Sequence, residues 1–185
     1  MKAQGQGGFT LIEVVVVAAI IAILAGILVP IIFKEIDEAR ITRAAADVRS
    51  ISTAMFIFKK DTAQWPYLSD DCSTVTTLLA GDGNPPSGDI AALGYDTSVT
   101  KSFNYYLQSN NGCYPNWKGP YMAGVTADPW GRKNYVNAKQ FPLPTEPVWI
   151  ISAGPNGILE TPAASQTLVG DDIGLLIKVG IPPTT

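Results

Sequence analysis

The chain contains one long apolar run, from Val14 to Phe33, without a charged or hydrogen-bonding side chain. Lys34 ends the run. A helix of this length spans about 30 Å, which matches the hydrocarbon core of a bilayer. The pattern predicts a membrane-spanning helix. Pro30 lies inside it, removes one backbone donor, and is expected to loosen or kink the helix nearby.

An amphipathic pattern follows the apolar run. Residues 34–60 contain neither glycine nor proline, and apolar side chains recur there at Ile41, Ala44, Val48, Ile51, Met55 and Phe58. Spacings of three and four positions place these residues on one face of a helix. One helix is therefore predicted from about residue 10 to about residue 60. The apolar face of its second half needs cover from the rest of the chain.

Beyond residue 60 the chain is rich in turns. All but one of the 14 prolines lie in this region. The first part is loop-rich, with a short helix predicted over residues 74–79. Apolar segments bounded by turn residues then predict strands at 134–137, 148–152 and 173–179. We therefore predict an α+β fold in which the long N-terminal helix packs on a small antiparallel β-sheet head.

Composition excludes several classes of function. The sequence has no histidine, so catalysis and metal binding that depend on imidazole are excluded. Two cysteines cannot complete a four-thiolate metal site. A net charge of -3 and a pI near 4.8 argue against a nucleic-acid partner. The acidic head fits export from the cytoplasm, whereas the basic residues after the apolar run favour the opposite orientation.

Glu13 stands at the edge of the apolar run, between Ile12 and Val14. A carboxylate at this position costs a few kcal/mol if it enters the bilayer. Two interpretations stay open from this residue alone. Either Glu13 is solvated at the headgroup level, or it forms an ion pair with a cationic partner.

Residues 8–13 read GFTLIE and precede a full apolar span. This arrangement resembles the processing motif of type IV pilins and type II secretion pseudopilins. The resemblance implies that a prepilin peptidase cuts after Gly8 and methylates the new N-terminal Phe9. It divides the chain into four parts, which are a leader (1–8), a membrane and filament-core helix (9–33), an amphipathic continuation (34–60) and a globular head (61–185).

The same resemblance implies roles in assembly. Cleavage would leave a positive amine on Phe9, and the Glu13 carboxylate of a neighbouring subunit would pair with it. Both charges are costly alone in an apolar helix bundle, so the pair would fix the register between subunits. Pro30 occupies a hallmark position of the family, where partial melting of the helix lets subunits pack.

A second resemblance lies in the C-terminal half. The segments DPWG at 128–131, ISAGPNG at 151–157 and GDDI at 170–173 are similar to major pseudopilins of type II secretion, whose corresponding loop binds calcium. The implied ligands are Asn156, Asp171 and Asp172, which offer hard oxygen atoms. Asn156 replaces the usual aspartate, and residues 159–169 look like an insertion. The alternative is a solvated acidic turn. Catalysis by these aspartates or by Asp128 has no second supporting feature.

Cys72 and Cys113 lie in the loop-rich region. If the head lies outside the cytoplasm, we expect them to form a disulfide; the alternative is two free thiols. The aromatic residues of the head form a ligand platform or belong to the core and to contacts between subunits. They are Trp65, Tyr67, Trp117, Tyr121, Trp130 and Trp149.

The resemblance implies a polymerising subunit and not an enzyme. Its fibre would be the type II secretion pseudopilus or, as the alternative, a type IV pilus. Expected partners are identical subunits, a prepilin peptidase, a membrane assembly platform, minor pilins or pseudopilins, and lipid before assembly. The subunit would cross the bacterial cytoplasmic membrane once with its head outside, then enter a periplasmic or extracellular fibre. A further alternative is a single-pass, membrane-anchored enzyme or binding protein.

Overall fold

A computed structural model of the chain describes residues 8–180. Most of the predicted leader, residues 1–7, lies outside this range. The elements in chain order are α1 (Leu11–Thr62), β1 (Leu78–Ala80), β2 (Thr100–Ser102), α2 (Asn104–Leu107), β3 (Tyr135–Val136), a 3-10 turn (Ala138–Gln140), β4 (Val148–Ser152) and β5 (Ile173–Lys178). The single long helix was predicted, and it remains helical through Pro30.

The chain divides into two compact units between Ala39 and Arg40. Within the first unit, all described side chains are exposed, and those of the apolar run face outward all round the helix. By length and composition, α1 can cross a membrane, and it is the only helix that meets this criterion within residues 8–180. The apolar surface of the first unit therefore needs lipid or other protein around it.

In the second unit, one face of α1 is buried. Ala44, Val48, Ile51, Met55 and Phe58 are each at most 2% exposed, as the spacing predicted. Ile41 was predicted on the same face but is 42% exposed, because the buried part of α1 begins one turn later.

The head contains a five-stranded sheet with the order β2-β1-β3-β4-β5. Strands β3, β4 and β5 form antiparallel pairs, as predicted, but β1 and β2 pair in parallel. The sheet is therefore mixed, and the antiparallel prediction holds for every neighbouring pair except β1 and β2. A parallel pair needs a long return connection, and residues 81–99 supply it. The short helix predicted over 74–79 was wrong, because strand β1 begins at Leu78.

Both faces of the sheet are covered. Leu79, Val136 and Ile150 face the buried side of α1, and Val148 and Ile177 belong to the same core. The opposite face forms a second core from Leu78, Ala80, Tyr95, Tyr135, Trp149, Ile151, Ala153, Leu159 and Ala163. Alternation along the strands explains the division, because neighbouring residues of a strand point to opposite faces.

Candidate functional site: the start of α1 and the head loops

The first turn of α1 is closed by hydrogen bonds between Thr10 and Glu13. The Thr10 backbone N–H and hydroxyl donate to Glu13 Oε2 over 2.8 and 2.7 Å. In return, the Glu13 N–H donates to the Thr10 hydroxyl oxygen over 3.4 Å. Thr10 immediately precedes the helix, so the pair is a capping box, which satisfies N–H groups that have no intrahelical acceptor.

Neither of the two interpretations of Glu13 given above included this cap. Its signature is a threonine followed three positions later by glutamate, ahead of an apolar run, and it stands in the sequence. Because the carboxylate is already held by its own helix, a cationic partner has to share it with Thr10 or displace Thr10.

The predicted cleavage bond lies next to this cap. Gly8 and Phe9 precede the helix, and the Phe9 side chain is 90% exposed. A Cβ atom added at Gly8 would meet nothing within 4 Å. Exposed, non-helical backbone is the form in which a protease can cut a chain. The structure thus brings Gly8, Phe9 and Glu13 together at the start of α1, whereas Pro30 lies five turns further along the helix.

The loop between β4 and β5 is held by carboxylates that accept backbone N–H groups. Asp171 Oδ2 accepts the N–H of Asn156 over 2.8 Å. Asp172 Oδ2 accepts the N–H groups of Glu160 and Thr161 over 2.9 and 2.6 Å. The three predicted calcium ligands therefore lie in one loop. Glu160 joins them from the predicted insertion, although it was not among the residues predicted for this site.

These residues do not form a metal-holding group. Oδ1 of Asp171 and Oδ1 of Asp172 are buried without a hydrogen-bond partner, so both carboxylates keep acceptor capacity. However, no three His, Cys, Asp or Glu side chains within residues 8–180 are placed to hold a metal ion together. The calcium prediction is therefore not supported. Burial raises the pKa of Asp172 above its usual value, and the nearby Glu160 carboxylate adds to this effect.

Asp128 has a structural position in the DPWG turn. It is 4% exposed, and its Oδ1 accepts the N–H groups of Trp130 and Arg132. Its Oδ2 accepts the hydroxyl of Ser152 over 2.6 Å. Both carboxylate oxygens therefore hold the turn and join it to the end of β4.

Cys72 and Cys113 form a disulfide, as predicted. The bond joins two loops of the head. Next to it, the Tyr114 hydroxyl accepts the N–H groups of Tyr67 and Leu68 and donates to the Trp65 carbonyl. The loop-rich region is therefore organised by a covalent bond and by a buried hydroxyl that bridges separate segments.

Two of the four tryptophans of the head contribute to packing. Trp65 is 8% exposed and stacks on Phe141 with ring centroids 4.9 Å apart. Trp149 is 4% exposed, and its indole N–H donates to the Ser165 carbonyl over 2.7 Å. These two positions favour the core interpretation of the aromatic residues over a ligand platform.

Comparisons with known proteins agree with the geometry at the start of α1. Residues 4–29 match the family described as the prokaryotic N-terminal methylation motif. The chain is 27% identical to type II secretion system core protein G of Pseudomonas aeruginosa, over 71% of this chain and 72% of that protein. It is 29% identical to the protein of the same name from Escherichia coli, over 84% and 86% of the two chains.

The similarity also extends to a pilus protein. The chain is 33% identical to the type IV major fimbrial protein FimA of Dichelobacter nodosus, over 57% of this chain and 65% of that protein. No solved structure matches the chain. The predicted resemblance to pilin-like proteins is confirmed, and relatives named type II secretion system core protein G recur among the matches.

Proposed function

We propose that this chain is the structural subunit of a type II secretion fibre and that it polymerises through the start of α1. The proposal rests on one observation above all, which is an exposed apolar helix whose first turn carries Glu13 within a matched methylation motif. The similarity to proteins named type II secretion system core protein G supports the assignment of the fibre to type II secretion. The subunit acts by polymerising and does not turn over a substrate. Calcium is not part of this proposal.

In this proposal, a prepilin peptidase removes residues 1–8 and methylates Phe9. The exposed backbone at Gly8 supports such a cut. The test is the intact mass of the protein purified from its host membrane. We expect the mass of residues 9–185, corrected for the disulfide, plus one methyl group. A protein that keeps residues 1–8 is instead a membrane-anchored protein with a pilin-like start, and the fibre proposal is then wrong.

Glu13 is the residue that we expect to control assembly. Its carboxylate would pair with the Phe9 amine of the next subunit, which requires a negative charge. Glu13→Gln keeps an oxygen that can accept from Thr10 but removes the charge, so processing should continue while fibre assembly falls strongly. Thr10→Ala is the matched control, because it removes side-chain bonds of the cap and leaves the charge. Normal fibres from Glu13→Gln would falsify the pairing.

The head is proposed to lie outside the cytoplasm. The Cys72–Cys113 disulfide supports this orientation, because such bonds persist in oxidising compartments. The partners are identical subunits, the peptidase, the membrane assembly platform, minor pilins or pseudopilins, and lipid before assembly. Protease protection of spheroplasts tests the orientation, since a head outside the cytoplasmic membrane is digested while that membrane remains intact.

The second candidate function is a type IV pilus subunit, and the similarity to the fimbrial protein FimA favours it. Deletion of the gene for this chain in its host distinguishes the two functions. Loss of exported proteins from the medium, without loss of surface fibres, supports the secretion fibre. Loss of long surface fibres with normal export supports the pilus.

A further inference from the structure

Two asparagines of this chain precede a glycine, Asn111 and Asn156, and their reactive groups are held differently. In an Asn–Gly pair, the glycine nitrogen can attack the side-chain amide carbon, because no Cβ atom shields it. We propose that Asn156 is a deamidation site of the folded protein, activated by Ile158 and Glu160, whereas Asn111 is protected. This inference does not depend on the proposed function.

The groups around Asn156 match the needs of the reaction. The Ile158 N–H donates to Asn156 Oδ1 over 2.6 Å, and Asn156 Nδ2 donates to Glu160 Oε2 over 3.0 Å. Asn156 is exposed, so water reaches it. Gly157 itself is buried against the Arg132 guanidinium, but its N–H donates to no acceptor within residues 8–180, so no hydrogen bond has to break before its nitrogen attacks.

In the first step, the Gly157 nitrogen forms a bond to Cγ of Asn156. Negative charge develops on Oδ1, where the Ile158 N–H stabilises it. The Gly157 nitrogen loses its proton to water, and Nδ2 gains a proton through the Glu160 carboxylate that it contacts. The Cγ–Nδ2 bond then breaks, ammonia leaves, and a cyclic succinimide remains. Water adds to either ring carbonyl and opens the ring to aspartate or isoaspartate.

Asn111 has the same local turn but lacks these features. The Cys113 N–H donates to Asn111 Oδ1 over 3.2 Å, so the carbonyl is held as in Asn156. Its Nδ2 donates to the neutral carbonyl of Leu68, which cannot carry a proton. The Gly112 N–H, the attacking group of this pair, is engaged by Asn110 Oδ1 over 2.9 Å. The two pairs therefore form a matched comparison within one chain.

Conversion of Asn156 changes the charge of its loop. The hydrogen bond to Glu160 is lost, and a new carboxylate faces the Glu160 carboxylate in its place. Isoaspartate also lengthens the backbone of a turn whose Gly157 carbonyl accepts the Ser87 N–H. Both changes loosen the loop between β4 and β5, so an aged preparation should melt at a lower temperature than a fresh one.

The test is peptide mass mapping of the full-length protein during incubation at neutral pH. In the folded protein, we expect Asn156 to convert at least ~10-fold faster than Asn111, a threshold set below the ~10²–10⁴-fold typical of general acid–base catalysis by a positioned side chain. In urea, with the disulfide reduced, the two sites should convert at similar rates, because both have the same Asn–Gly sequence. Equal rates in the folded protein, or faster conversion of Asn111, overturn the proposal.

Two variants test the assigned groups. Glu160→Gln keeps an acceptor for Nδ2 but cannot carry a proton, so conversion at Asn156 should slow while Asn111 is unchanged. Glu146→Gln is the matched control in another loop and should change neither rate. Thermal melts confirm that both variants are folded. A Glu160→Gln protein that melts normally and converts Asn156 at the original rate contradicts the mechanism.

Discussion

Individual aspartates organise the turns of the head by accepting backbone N–H groups. Asp71 and Asp89 do so at exposed positions, and Asp128 and Asp172 do so at buried ones. A buried donor that loses its acceptor lowers stability by its full desolvation cost, whereas an exposed donor can form a hydrogen bond with water instead. The turn-rich composition predicted that turns would occur here, but it contained no signal for which carboxylates would be buried.

Asp172 should give the stability of the head a distinctive dependence on pH. Burial and the Glu160 carboxylate raise its pKa above the usual 3.8, so the folded protein holds this proton more tightly than the unfolded chain. The resulting stability is fully present below pH 3.8 and is lost as pH rises through the raised pKa. The asparagine in Asp172→Asn stays neutral at every pH. As pH rises through the raised pKa, the free energy of unfolding of this variant, measured in urea with chelator, should therefore increase relative to that of the wild type.

Asp96 provides the control of opposite sign. The Lys139 ammonium and the Ser98 N–H hold the pKa of its carboxyl well below the usual 3.8. Its contribution to stability is therefore present above that pH and is lost as pH falls through the lowered pKa. Asp96→Asn should differ most from the wild type near neutral pH. If both variants shift with the same sign, the assignment for Asp172 is wrong.

At the level of elements, long patterns were predictable and short ones were not. The helix predicted over about 10–60 is Leu11–Thr62, and the strand predicted at 148–152 is Val148–Ser152. Strands β1 and β2 were missed, because three residues cannot establish a period of two. The burial of all three β1 residues also removes the alternation that marks a half-buried strand.

Two isoleucines of α1 test the assignment of its buried face. Ile51 is 1% exposed and Ile57 is 43% exposed, although they lie less than two turns apart. We expect Ile51→Ala to lower the free energy of unfolding by about 2–5 kcal/mol through loss of packing and creation of a cavity. Ile57→Ala should cost less than about 1 kcal/mol. Urea unfolding of both variants measures the difference, and equal costs would contradict this orientation of α1.

The disulfide should stabilise the head by restricting its unfolded state. Cys72 and Cys113 are 41 positions apart, and closing a loop of this size is worth about 2–4 kcal/mol. The double variant Cys72→Ala/Cys113→Ala should lose this amount in urea unfolding. The wild type with reductant should lose a comparable amount, whereas reductant should leave the double variant unchanged. A wild type that is insensitive to reductant would contradict the stabilising role.

At the scale of the whole molecule, the sequence predicted the start of α1 better than the head loops. Gly8, Phe9 and Glu13 are close in sequence, so a local motif is enough to bring them together. In the loop between β4 and β5, a metal site forms only if carboxylates from separate positions meet around one point. That depends on tertiary packing, which is why Asp171 and Asp172 could be placed in one loop while the metal site could not be established.

The division of the molecule into two units predicts that the second unit folds without the first. Every buried hydrophobic residue that the structure describes lies between Ala44 and Ile177. A fragment of residues 34–185 keeps all of them, so its near-ultraviolet circular dichroism and melting temperature should match those of the full chain in detergent. It should also stay soluble and monomeric, because it lacks the apolar run.

A shorter fragment supplies the control for this prediction. Residues 57–185 lack Val48, Ile51 and Met55, which form part of the core between α1 and the sheet. Loss of one large buried side chain costs about 2–5 kcal/mol of stability. The free energy of unfolding of a typical domain is about 5–15 kcal/mol, so the loss of all three side chains exceeds the lower end of that range. We therefore expect no cooperative melting from this fragment. If residues 34–185 also fail to fold, the first unit contributes to the stability of the head, and its exposed apolar surface is not only a surface for lipid or other subunits.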